Sequence, residues 1–146
     1  MKGAMSEKTV YITRKARFNA AHKLWNKEWS AEKNHEVFGK CANENWHGHN
    51  YELHVTVKSV PDADTGFCMD LKTLKELIKK YVEEPLDHRN INLDVEWMRG
   101  KMASTENLII EIWEQLDGPI TEKGCTLHQL RLYETENNYA DYYGGE

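Results

Sequence analysis

The stretch "HGHNYELHVTVKSV", residues 47–60, alternates so regularly that it permits one local structure. His47, His49, Tyr51, Leu53, Val55 and Val57 recur at period two, and side chains two apart on a strand share a face. A helix would scatter the same residues around its circumference, so the spacing predicts a strand with one apolar side. "TVYITRKARFNAAH", residues 9–22, repeats the pattern with Val10, Ile12, Ala16, Phe18 and Ala20 on one side. Between the two, "LWNKEWSAEKNHEVFGK" has no clean period and reads as a long loop with a helical turn after Ser30.

The rest of the chain changes period. "PDADTGF" is turn chemistry, and Asp70 caps a helix over "LKTLKELIKKYVEE". Leu71, Leu74, Leu77, Ile78, Tyr81 and Val82 lie at helical spacing, and Pro85 ends the run. "LDHRNINLD" reads as loop. A second helix opens at Ser104 or Thr105 with Leu108, Ile109, Ile112, Trp113 and Leu116 as its buried face. "TLHQLRLYETE" and "NYADYYG" are closing strands joined tightly at "ENN". The order strand, strand, helix, helix, strand, strand favours antiparallel hairpins, giving an α+β sandwich with both helices on one sheet face.

At 146 residues, with no repeat or linker, the chain fits one domain, residues 1–146. The net charge of −5 argues against nucleic acid, and no stretch approaches the roughly 20 apolar residues of a membrane span. The start, "MKGAMSEK", lacks an apolar core of the secretory kind, and residues 1–8 read as flexible. Cys41, Cys68 and Cys125 are odd in number and widely spaced, which predicts reduced thiols and a cytoplasmic protein.

The strand period also sets the chemistry. His47 and His49 project together, and Gly48 between them lets a neighbour approach closely. His22 closes the preceding strand and is the best third metal ligand. His54 falls on the opposite face and reads as solvent-facing. Zinc takes three histidines when a position must stay open for substrate, whereas Cys41 as a fourth ligand would close the sphere and make the site structural. Spacing alone leaves both arrangements open.

"SAEKNHEVFGKCANENWHGHNY", "PLDHRNINLDV", "STEN" and "LYETENNY", in order over nearly the whole chain, resemble the 6-pyruvoyl-tetrahydropterin synthase family. The resemblance implies the tunnelling fold: a four-stranded antiparallel sheet in ββααββ order, two helices on one face, three subunits closing a β-barrel, and a homo-hexamer of two trimers. It implies conversion of 7,8-dihydroneopterin triphosphate to 6-pyruvoyl-tetrahydropterin with loss of triphosphate, using zinc. His22, His47 and His49 would be the zinc ligands and Cys41 the catalytic base. Asp87 and His88 would complete its relay from a neighbouring subunit. Glu134 would anchor the pterin, with Thr105 and Glu106 lining the same pocket. A neighbouring imidazole or cation would lower the Cys41 pKa toward neutrality.

Trp46 departs from the pattern, standing where a smaller residue is expected. Two alternatives come with the resemblance. The 6-carboxy-tetrahydropterin synthases of queuosine biosynthesis share the substrate, but have shorter Cys-to-His spacing and lack "ETENN". The other is a non-catalytic zinc or pterin-binding module. Chelation separates these readings: a closed structural site predicts unfolding, while a catalytic site predicts lost turnover with the circular dichroism spectrum of the folded protein retained.

Overall fold

The computed structural model describes residues 8–44 and 46–145. The flexible start expected for residues 1–8 therefore lies almost entirely outside the described residues. Two long strands form the spine: β1 (Val10–His22) and β2 (His47–Ser59) pair antiparallel over their full length, from Val10 opposite Ser59 to His22 opposite His47. β4 (Thr126–Thr135) pairs antiparallel with β2, and β5 (Asn138–Tyr142) with β4. The sheet differs from the four strands expected. β3 (Arg89–Asn90) adds a short parallel edge to β1, giving the order β3-β1-β2-β4-β5. The "LDHRNINLD" segment is thus ordered, continuing into a helical turn, α3 (Ile91–Asp94), that Asn90 caps through the backbone N–H groups of Asn92 and Leu93. Asn90 and Asp94 make local bonds that periodicity does not report, and the Asn92 side chain ties the turn to the Lys23 backbone.

α2 (Leu71–Ile78) starts at Asp70, whose carboxylate accepts the Lys72 N–H at 2.9 Å. It does not stop before Pro85. A wider turn over Lys79–Glu83 carries it into Glu84–Leu86, so the helix runs through Pro85. α4 (Thr105–Glu122) begins at Ser104, which accepts the Asn107 N–H. Leu108, Ile109, Ile112, Trp113, Leu116 and Ile120 of α4 pack on the inner sheet face formed by Phe18, Tyr51, Leu53, Val55, Leu130 and Leu132, all of them buried.

The β1–β2 connection contains more structure than a helical turn. α1 (Ala31–Phe38) is capped by Ser30, and its buried Asn34 both accepts the Asn26 N–H and donates to the Asn26 and Ser30 carbonyls. This ring of bonds folds the excursion back, so that the Leu24 N–H meets the Cys41 carbonyl at 2.7 Å.

The outer face is polar. His54 lies there as expected, but is only 16% exposed, because Glu52 accepts its Nε2–H at 2.7 Å and the Tyr133 ring lies beside it. On β4 and β5, opposite each other in register, Arg131 and Asp141 form a two-pronged ion pair at 2.7 and 3.0 Å. The Arg131 guanidinium holds the Asp141 carboxyl below its ordinary range. The unfolded chain therefore binds that proton more readily, and the pair stabilises above the unfolded pKa of about 3.9. Asp141→Asn is expected to cost about 1 kcal/mol near neutral pH, a gap that closes as pH falls below about 4. Urea melts across pH check this; a gap indifferent to acid contradicts it.

Candidate metal centre

The apolar inner face changes character at one end of the sheet. Moving along β2 from Val55 through Leu53 and Tyr51, the same row continues as His49 and His47. On β1, Phe18 and Ala20 continue as His22. His22 is fully buried. Its Nδ1 lies 2.6 Å from the Ala103 carbonyl oxygen, which only accepts, so Nδ1 carries the proton and Nε2 is left with a lone pair. That Nε2 and the Nε2 of His49 are both buried with no hydrogen-bond partner among the described residues.

Two unsatisfied imidazole nitrogens in a dry site are costly unless something electrophilic sits between them. The Glu134 Oε2 faces both, at 3.9 Å from His22 Nε2 and 3.8 Å from His49 Nε2. A donor set around one tetrahedral zinc has edges of roughly 3.3 Å, so Glu134 Oε2 stands a few tenths of an ångström farther from each nitrogen than in a loaded site. The donors fit a metal ion. Burial holds His49 below the ordinary imidazole range, with His22 and His47 pushing the same way and Glu134 opposing, so this ring is neutral and able to ligate at pH 7.

The close triplet is His22, His49 and Glu134, whereas the sequence pointed to three histidines. His47 is nevertheless adjacent, its ring centroid 4.5 Å from that of His49 and 6.2 Å from that of His22. Glu134 continues the inward row of Leu130 and Leu132, and Thr105 at the start of α4 donates its hydroxyl to Glu134 Oε2 at 2.7 Å. Glu106 is exposed. Gly48 has no demanding role within the chain, since a Cβ there would meet nothing nearer than the Ala20 carbonyl at 4.0 Å.

Cys41 is half-buried and free, in the short turn Gly39–Ala42. Burial, and then the Glu134 charge, push its thiol up, against the expected lowering; within this chain the charge that reaches it is a carboxylate, not a cation. Asp87 and His88 are not brought to it. Their loop is bound to β1: the Asn19 N–H donates to Asp87 Oδ1 at 2.8 Å and the His88 N–H to the Asn19 carbonyl at 2.6 Å. Asp87 lines a recess of about 640 Å³ together with Arg17, Asn50 and Glu52. His88 pairs with Asp87 at 2.9 Å, has φ of 58°, and points an 82% exposed side chain outward.

Two participants escaped the sequence. Tyr51 stands next after His49 on the inward row, its hydroxyl buried and unpartnered among the described residues; burial, with Glu134 and Cys41 beside it, keeps the phenol protonated. The period-two pattern already placed it there. Ala103 acts through its backbone, which no residue type announces.

A sequence profile for 6-pyruvoyl tetrahydropterin synthase matches residues 11–145. The chain is 39% identical over 137 residues to a 6-pyruvoyl tetrahydrobiopterin synthase of Dictyostelium discoideum, covering 94% of this chain and 98% of the relative. The structure of 6-pyruvoyl tetrahydropterin synthase from Caenorhabditis elegans superimposes with a TM-score of 0.87 at 33% identity, covering 94% of this chain and 97% of that one. A 6-carboxy-5,6,7,8-tetrahydropterin synthase of Rickettsia typhi is more distant, 24% identical over 148 residues, spanning 90% of this chain and 99% of its own length.

The unpartnered nitrogens lead to a direct expectation. Stoichiometric zinc should raise the melting temperature of the metal-free protein by mass action, and His22→Ala or His49→Ala should abolish that rise. A zinc-dependent shift that survives both substitutions places the ion elsewhere.

Proposed function

The chain belongs to the 6-pyruvoyl tetrahydropterin synthase family, and we propose that it converts 7,8-dihydroneopterin triphosphate to 6-pyruvoyl-tetrahydropterin, eliminating triphosphate. The observation that carries this reading is the pair of buried, unsatisfied imidazole nitrogens of His22 and His49 facing Glu134 in a chain that matches the family over residues 11–145.

His22, His47 and His49 hold a zinc ion in this proposal, with Glu134 left for the substrate. Its Oε2 already accepts from Thr105, which favours a recognition role. A carboxylate matches the paired N–H donors of a pterin edge, and the Thr105 hydroxyl fixes its rotamer. Glu106 completes the same wall from the neighbouring position. Bound zinc supplies a Lewis acid that acidifies the side-chain carbon bearing a hydroxyl.

Cys41 takes the proton from that carbon. Its raised pKa makes it a poor thiolate in the empty site and an avid proton acceptor once deprotonated. Asp87 and His88, bonded to each other and projecting from the β1 edge, serve the Cys41 of a neighbouring subunit, so each site is assembled between subunits of a homo-hexamer built from two barrel trimers. The Asn19 N–H, and then His88, keep Asp87 well below its ordinary pKa, so this partner stays ionised. Triphosphate departs, and tautomerisation moves electrons from side chain to ring, so the reduction needs no second cofactor. Three free thiols suit the cytoplasm.

Incubation of the zinc-loaded protein with 7,8-dihydroneopterin triphosphate tests the reading by product analysis. The pyruvoyl product and triphosphate are expected; a carboxy product with acetaldehyde assigns the chain to the other branch. Cys41→Ala should retain zinc and lose about 10²–10⁴-fold in kcat, whereas loss of zinc would make Cys41 a ligand. Mixing Cys41→Ala with His88→Ala subunits should restore part of the activity, since one site per pair is then intact; no restoration contradicts the shared relay.

A further inference from the structure

A second recess, of about 540 Å³, is lined by Lys23, Trp25, Lys27, Trp46, Asn92 and Lys101 among others. In a chain of net charge −5, this wall carries three lysines and no carboxylate. Lys101 is neutralised by Glu111 at 2.7 Å, but neither Lys23 nor Lys27 makes an ion pair among the described residues.

Lys23 is built into place. Asn92 accepts its backbone N–H at 2.9 Å and donates to its carbonyl at 3.0 Å. Its ammonium lies over two indoles, 4.6 Å from the Trp25 ring centroid and 5.7 Å from that of Trp46. Trp46 reaches this position with φ of 66°, a left-handed conformation uncommon for a bulky residue. Ring faces attract the charge but accept none of its three N–H donors in an ordinary hydrogen bond, so the ammonium is oriented and still open. The recess also adjoins the metal cluster along the chain at three points. Lys23 follows His22, Trp46 precedes His47, and Met102, another lining residue, precedes the Ala103 that holds His22.

We propose that this lysine–tryptophan recess binds the triphosphate of the substrate, with Lys23 and Lys27 as its charge partners and Trp25 and Trp46 holding Lys23 in position. The inference rests on the function proposed above. The pterin at Glu134 and the hydroxyls at the metal leave the polyphosphate as the remaining end of the substrate, and the charges on this wall are all cationic. Trp46 then has a role: it narrows the recess and aims an ammonium, where a smaller residue would leave the lysine free to move.

The test uses zinc-loaded Cys41→Ala protein, which does not consume its ligand. Calorimetry measures the affinities for 7,8-dihydroneopterin triphosphate and for unphosphorylated 7,8-dihydroneopterin, and the quantity read is their ratio. Adding Lys23→Gln and Lys27→Gln together is expected to lower the ratio about 10-fold or more by weakening only the triphosphate, and raising salt should shrink the difference. Lys23→Arg should keep the ratio. A ratio unchanged by the double substitution, or equal losses for both ligands, overturns the groove. Turnover by the unsubstituted protein is measured in parallel. Turnover with an insensitive ratio removes the groove and leaves the proposed function standing. A fallen ratio without turnover does the reverse, and failure of both ligands to bind removes both.

Discussion

One hydrogen bond organises the working end of this protein: His22 Nδ1–H to the Ala103 carbonyl, 2.6 Å and fully buried. It ties the last residue of β1 to the residue before the Ser104 cap, and so fixes the entry of α4 against the sheet. The same bond decides the tautomer. With Nδ1 committed to the backbone, Nε2 presents its lone pair into the site, and the ring cannot turn to hide it. Thr105, two residues after Ala103, is thereby placed to hold Glu134, so one contact orients a ligand and the group opposite it.

The rest of the fold makes that arrangement affordable. The full-length β1–β2 register brings His22 opposite His47 without a loop having to be trained there. Behind the imidazoles lies a continuous apolar layer from Tyr51 to Val57 and from Leu108 to Ile120, which excludes water and makes each unsatisfied nitrogen count. The electrostatics of the bare chain differ from those of a loaded site. Burial raises both Cys41 and Tyr51, and without an ion the Glu134 charge adds to it at each. A divalent cation facing the same carboxylate opposes that influence.

Much of this was legible in the residues. Period two placed His47, His49 and Tyr51 on one row with the core, and the two amphipathic helices were readable, the first to its cap Asp70 and the second to a start at Ser104 or Thr105. Glu134 followed from Leu130 and Leu132 in the same way. What escaped was held by groups without a residue signature. The Ala103 carbonyl is backbone. β3 is two residues long, held by local bonds of Asn90 and Asp94 and by the Asn92 side chain on the Lys23 backbone. α1 is pinned by the buried Asn34, in a segment with no hydrophobic period to reveal it. The wider turn at Lys79–Glu83 let a helix pass Pro85, against the usual reading of proline as a stop. The direction of the Cys41 pKa depended first on its burial and then on the Glu134 carboxylate near it in space, neither of which spacing encodes.

X-ray absorption at the zinc edge of the loaded protein examines the central claim most directly, because it reads ligand type without relying on activity. Nitrogen and oxygen neighbours at about 2.0–2.1 Å, with the multiple-scattering pattern of imidazoles and no sulfur shell, are what three histidines and a free Cys41 require. A zinc–sulfur distance of about 2.3 Å would mean that the thiol closes the coordination sphere, and the lyase chemistry built on it would not stand.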